Sequence, residues 1–176
     1  MANEGIGASS AARVAIGLGI TAAVAAAIPL TMSSEGVRTR PYDDAAHVRT
    51  VCYGETAGVE ERVYSRGECG DMLRRRLAAD YAPRLIACMP GLVDAPFPRT
   101  VFAALLDAAY NAGPAAVCRR FAPLFNANRI TATCAALPGW FTTARDRRTG
   151  AVRRLPGLVT RRAKEAALCG KWKDNR

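Results

Sequence analysis

The sequence predicts a mainly helical α+β fold: a small early β-hairpin lobe, then a helical lobe, preceded by a weakly hydrophobic N-terminal helix. Three observations carry this. From Ser65 onward, apolar residues recur at helical spacing between recognisable start and stop signals. Ahead of them, a polar stretch punctuated by glycine holds the β-type run Arg49-Thr50-Val51-Cys52-Tyr53, bounded by Asp43-Asp44 and Gly54. At the amino end, no charged residue lies between Arg13 and Glu35.

Taken in order, Val14 to Met32 is nineteen residues long, close to the ~20 that a bilayer core requires. Its apolar quality is low. Seven strongly apolar residues, each worth only about −0.3 to −0.6 kcal/mol, are diluted by alanine, glycine, threonine and Pro29. Such a segment can be exported yet makes a weak permanent anchor. A cleavable signal with Ala25 to Ala27 near its cleavage site, a stable anchor and an uncleaved anchor that later escapes are the export readings; a soluble core helix would carry a polar face.

The hairpin over Arg49–Tyr53 comes next. Ser65-Arg66-Gly67-Glu68 is a capping box that opens a helix carrying Met72, Leu73, Leu77, Tyr81, Leu85 and Ile86, with a kink expected at Pro83. Pro98 opens the most apolar helix and Gly113 stops it. A short helix over about 115–127, another from near Thr131, and a basic amphipathic helix over about 158–168 complete the chain. The expected division is a segment 1–33 and a domain 34–176.

Composition narrows the function. Length 176, with half the residues apolar and 23% charged, suits one folded domain with a real core. A single histidine rules out zinc sites built on His pairs, and at least fifteen residues separate successive cysteines, which rules out CxxC motifs. Six cysteines in so short a chain point instead to disulfides and an oxidising compartment. From Arg145 to Arg176 there are eleven basic and three acidic residues, so most of the +10 net charge lies at the carboxy end. That favours a polyanionic partner, with nucleic acid disfavoured because this region has few aromatics for stacking and no recognisable binding module.

The chemistry lies between Glu35 and Gly54. Glu35 and Asp44 are nine residues apart, and Thr50 follows Glu35 by fifteen. Hydrolysis of a glycoside uses such a carboxyl pair, one protonated to donate to the leaving oxygen and one ionised to assist water or act as nucleophile. Glu35 sits where an apolar stretch ends, and partial burial there favours the protonated form. Asp44 sits in a polar turn, which suits a carboxylate.

The residues Glu35-Gly36-Val37-Arg38, Tyr42-Asp43-Asp44 and Thr50-Val51-Cys52-Tyr53-Gly54 resemble the active-site stretch of phage lysozymes, the endolysins of glycoside hydrolase family 24. Tyr110-Asn111-Ala112-Gly113 and Leu158-Val159-Thr160-Arg161-Arg162 resemble two further motifs of that family, so the likeness spans about residues 34–170. It implies a small β lobe with a helical lobe, and an endolysin cutting the β-1,4 bond between N-acetylmuramic acid and N-acetylglucosamine in peptidoglycan with inversion. It implies Glu35 as general acid, Asp44 as the carboxylate that activates water, Thr50 as the hydroxyl that helps hold that water, and Arg162 as the partner of the catalytic glutamate. Tyr110 resembles an aromatic of the saccharide cleft. Glu55 stands where the family commonly has histidine, either raising Glu35 by like-charge repulsion or facing solvent.

The same resemblance implies the pairs Cys52–Cys69, Cys88–Cys118 and Cys134–Cys169, no cofactor and no metal, and a monomer. Val14 to Met32 is similar to the weakly hydrophobic, uncleaved signal-arrest-release segments of one subgroup. The expected location is therefore the periplasmic side of the host inner membrane, bound through residues 14–32, and then the periplasm. Two alternatives accompany this reading. One is a basic, membrane-anchored wall-binding or membrane-perturbing protein without catalysis. The other is a Cys–His amidase using Cys52 and His47, whose spacing of five residues is poor geometry for such a pair.

Overall fold

The computed structural model describes residues 10–44, 46–94, 96, 98–146 and 148–172. The first nine residues of the expected amino-terminal segment lie outside these, as do Arg147, Lys173 and Arg176 of the basic region.

Helix α1 (Ser10–Glu35) runs without interruption through the apolar segment and includes Pro29. Ala23, Val24, Ala27 and Thr31 form its buried face, at the spacing expected of one helical stripe, while Gly17, Leu18, Thr21, Ala25 and Pro29 face outward. Gly36, at φ 69°, takes the left-handed conformation that stops the helix and turns the chain into the hairpin. Strands β1 (Arg38–Asp43) and β2 (Arg49–Cys52) pair antiparallel, with Tyr42 opposite Thr50 and Asp43 opposite Arg49.

Helix α2 (Arg66–Arg76) begins at the expected capping box. Ser65 Oγ accepts from the Glu68 amide at 3.1 Å, and Glu68 Oε2 accepts from the Ser65 amide at 2.7 Å. These bonds and the nearby Arg62 hold the Glu68 carboxyl well below its usual range, to about 2. The expected kink takes the form of a π turn over Leu77–Tyr81, which leads into α3 (Ala82–Cys88). Pro83 has no N–H to continue the α register, and the wider turn just before it absorbs that loss.

A 3₁₀ turn over Pro90–Val93 then precedes α4 (Arg99–Ala112). Every residue of α4 from Thr100 to Ala109 is buried, as befits a helix packed on all sides. It is the axis of the helical lobe: α1, α5 (Pro114–Asn126) and α7 (Pro156–Gly170) all pack on it. Gly113, at φ 86°, allows the abrupt change of direction between α4 and α5. Helix α6 (Ile130–Ala135) follows.

A second hairpin, β3 (Thr143–Arg145) with β4 (Val152–Arg154), was not evident in the sequence. All its residues are exposed, so it lacks the alternation of apolar and polar residues that reveals a half-buried strand. The disulfides join Cys52 to Cys69, Cys88 to Cys118 and Cys134 to Cys169, the pairs the resemblance implied.

Candidate active site

Glu35 is the last residue of α1, and the Gly36 turn leads from it directly into the hairpin. Its side chain is 27% exposed, so the carboxyl is partly open to solvent. Oε1 accepts a hydrogen bond from Arg161 Nη1 at 2.5 Å. Together Glu35 and Arg161 line a cleft of about 600 Å³ that is also lined by Leu155, Pro156, Gly157 and Leu158. The cleft lies between the end of α1 and the start of α7, with Asn111 of α4 and Lys164 of α7 also on its wall.

Asp44 closes the end of β1. Its Oδ1 accepts from the amides of Ala46 (2.8 Å) and Val48 (2.9 Å), an Asx-type turn that fixes the carboxylate plane. Its Oδ2 has no hydrogen-bond partner among the described residues. Thr50, on β2 and buried, donates its hydroxyl proton to Val48 O at 2.8 Å. Because that proton is committed, the lone pairs of Thr50 Oγ1 remain as acceptors.

Behind Glu35 lies a buried polar cluster that the sequence reading only half anticipated. Arg161 donates to Asp107 through Nε (3.0 Å to Oδ2) and Nη2 (2.9 Å to Oδ1), and Nη2 also meets the Asp107 carbonyl at 3.1 Å. The expected partner of Glu35, Arg162, is elsewhere. It is fully buried, with Nη1 on Glu165, Nη2 on Asn111 and its guanidinium 5.1 Å from the centre of the Trp140 ring. Adjacent residues of a helix point about 100° apart, so only one of the two arginines can face α1. Asp107 and Glu165 were not singled out. Asp107 had a signal: a charge within Val101–Tyr110, the most apolar helix, demands a cationic partner. Burial and the neighbouring Asp107 push the Glu165 carboxyl up to about 9, against the pull of Arg162.

Other expected site residues serve the junction between lobes. Glu55 neither faces solvent freely nor stands alone: Arg76 donates to its Oε1 at 2.7 Å, and its side chain is 13% exposed. Tyr110 donates its hydroxyl to Tyr53 O at 2.6 Å and packs on the Tyr81 ring, with centroids 5.3 Å apart. Burial pushes its phenol above the ordinary tyrosine range. Its neighbour Asn111, not Tyr110 itself, lines the cleft described above. Cys52 is held in a disulfide, so it is not available as a thiolate nucleophile beside His47. Among the described residues, no group of three or more His, Cys, Asp and Glu side chains is placed to hold a metal ion.

A carboxyl in a cleft, paired with a buried arginine, and a second carboxyl in the adjoining hairpin are residue types a glycosidase uses, although Asp44 and Thr50 are not among the residues that line this cleft. Comparison with known proteins agrees. The phage lysozyme family profile matches residues 32–165, and the chain belongs to that family. It is therefore a glycoside hydrolase of the lysozyme class, a muramidase, whose family substrate is peptidoglycan.

Similar folds are found in the muramidase domain of SpmX from Asticaccaulis excentricus, at 26% identity over 82% of this chain and 94% of that one, with TM-score 0.68. The active form of the P1 phage endolysin Lyz is 24% identical over 88% of this chain and 92% of its own, with TM-score 0.62. The endolysin of Escherichia coli O157:H7 phage FAHEc1 is 20% identical over 82% and 90%, with TM-score 0.63. A comparison with curated proteins gives no match.

Proposed function

We propose that the protein is an endolysin that hydrolyses the β-1,4 bond between N-acetylmuramic acid and N-acetylglucosamine, with inversion, during host-cell lysis. The observation that carries this reading is the contact of a partly exposed Glu35 with Arg161 in the lining of one cleft.

In this mechanism Glu35 enters protonated and donates to the glycosidic oxygen as the C1–O bond breaks. A water attacks C1 from the opposite face. It gives one proton to the free Oδ2 of Asp44 and hydrogen-bonds through the other to Thr50 Oγ1, whose own proton is engaged by Val48 O. The fourth participant is Arg161, whose guanidinium stabilises the Glu35 carboxylate left after proton transfer. A proton exchanged through solvent from Asp44 to Glu35 resets the site.

Residues 1–33 are proposed as a signal-anchor and release segment, bound to the inner membrane through residues 14–32 before release to the periplasm. Ile16–Glu35 is long and apolar enough to cross a membrane. Because α1 ends on Glu35, its buried stripe of Ala23, Val24, Ala27 and Thr31 must dock before the acid reaches the cleft. A helix held in a bilayer leaves the site unassembled.

Digestion of purified peptidoglycan tests the catalytic reading. The expected products carry reducing N-acetylmuramic acid, released first as the α-anomer by proton NMR. Reducing N-acetylglucosamine, an initial β-anomer, or new amino termini in place of new reducing ends contradicts it.

A further inference from the structure

We propose that Asp107 is a positioning residue for acid catalysis: its buried pairing with Arg161 holds that guanidinium in place and absorbs its charge, so that Arg161 steadies Glu35 without locking it as a carboxylate. The inference rests on the reading of Glu35 as the general acid.

Arg161 has five N–H donors in a rigid fork. Three hydrogen bonds go to Asp107, two to its carboxylate and one to its carbonyl, and one goes to Glu35. The fork edge formed by Nε and Nη2 is thus fixed on α4, leaving Nη1 as the group presented to α1. Arg161 is 5% exposed and Asp107 fully buried, so solvent screens neither. The aspartate is anchored in turn by the most completely buried helix of the protein.

The electrostatic consequence follows from that arrangement. An arginine facing a lone carboxyl in a dry setting strongly favours the ionised form, which an acid catalyst cannot use. An arginine already neutralised by a bidentate carboxylate offers a hydrogen bond with little residual charge. Asp107 also repels a second negative charge nearby, so both of its effects favour the protonated Glu35. The other charged and titratable groups around the pair are Tyr110 on α4 and Arg162, Lys164 and Glu165 on α7. Glu165 Oε1 lies 3.5 Å from Arg161 Nε, and Tyr110 senses the Glu35 charge. None of these makes the two-pronged contact that Asp107 makes.

Asp107→Asn keeps the shape and removes the charge. The alkaline limb of kcat/KM against pH, and the ¹³C signal of the Glu35 carboxyl followed over the same range, are expected to move to lower pH in this variant. Asp107→Ser, which removes the same charge and leaves room for a water on Arg161, provides the same readout should the asparagine variant not fold. An unmoved titration and limb in a folded variant reduce Asp107 to a structural partner and overturn the proposal. The carboxyl titration does not require turnover, so it decides the matter even if wild-type protein fails to cleave glycan, a result that would instead sink the proposed function.

Discussion

Arg161 and Glu35 stand 126 residues apart in the chain and meet at 2.5 Å, joining the last helix to the end of the first. The contact makes the cleft that holds Glu35 a product of long-range folding, since neither α1 nor α7 carries it alone. It also divides the roles of two adjacent arginines, one at the acid and one at the junction with Trp140 and Asn111.

Replacing Arg161 with Met therefore has two consequences. Asp107 is left buried without its cation, a loss of about 3–5 kcal/mol in folding free energy. Glu35 also loses its orientation, a loss of about 10²-fold in kcat. Arg162→Met is expected to lower stability with a much smaller effect on kcat, because its partners Glu165 and Asn111 do not touch the acid. Urea unfolding and turnover of the two variants side by side check the order.

Glu165 gives stability a pH dependence of definite sign. Its ordinary value of 4.5 is raised to about 9 in the folded protein. Between these values the folded state keeps a proton that the unfolded chain has released, so the contribution to stability is full below pH 4.5 and is lost as pH rises through about 9. The slope is at most about 1.4 kcal/mol per pH unit. Glu165→Gln removes it. The stability of wild type relative to this variant, from urea unfolding at pH 5, 7 and 9, is expected to fall steadily.

Much of this architecture was legible because local chemistry dictated it. The Ser65–Glu68 box, the Pro98 opening and the Gly113 stop are solved by a few neighbouring atoms, and the helices begin and end where these residues require. The assignment of Glu35, Asp44 and Thr50 has a different origin: it rests on the likeness of their spacing to the phage lysozyme motif, because two carboxylates near a hairpin are by themselves ordinary turn and cap residues. What was hidden depends on helix phase and distant packing. Which of Arg161 and Arg162 faces α1 is set by how α7 lies on α4. The β3–β4 hairpin carries no burial pattern to read.

The Cys52–Cys69 disulfide spans 17 positions and ties the end of β2 to α2. Closing a loop of that size in the unfolded chain is worth about 3 kcal/mol. The double variant Cys52→Ala/Cys69→Ala is expected to lose about that much stability. Activity should fall further than stability alone explains, because Thr50 lies two residues from the bridge. Thermal unfolding, together with kcat measured well below the midpoint, separates the two effects.

The most direct test of the acid role is Glu35→Gln, assayed for clearing of peptidoglycan suspensions and for sedimentation with the same material. The glutamine keeps the size of the side chain but has no acidic proton to transfer. Clearing is expected to drop by at least about 10³-fold with cosedimentation unchanged. Clearing at the wild-type rate by folded Glu35→Gln protein would contradict the assignment and favour a wall-binding protein that works without this carboxyl.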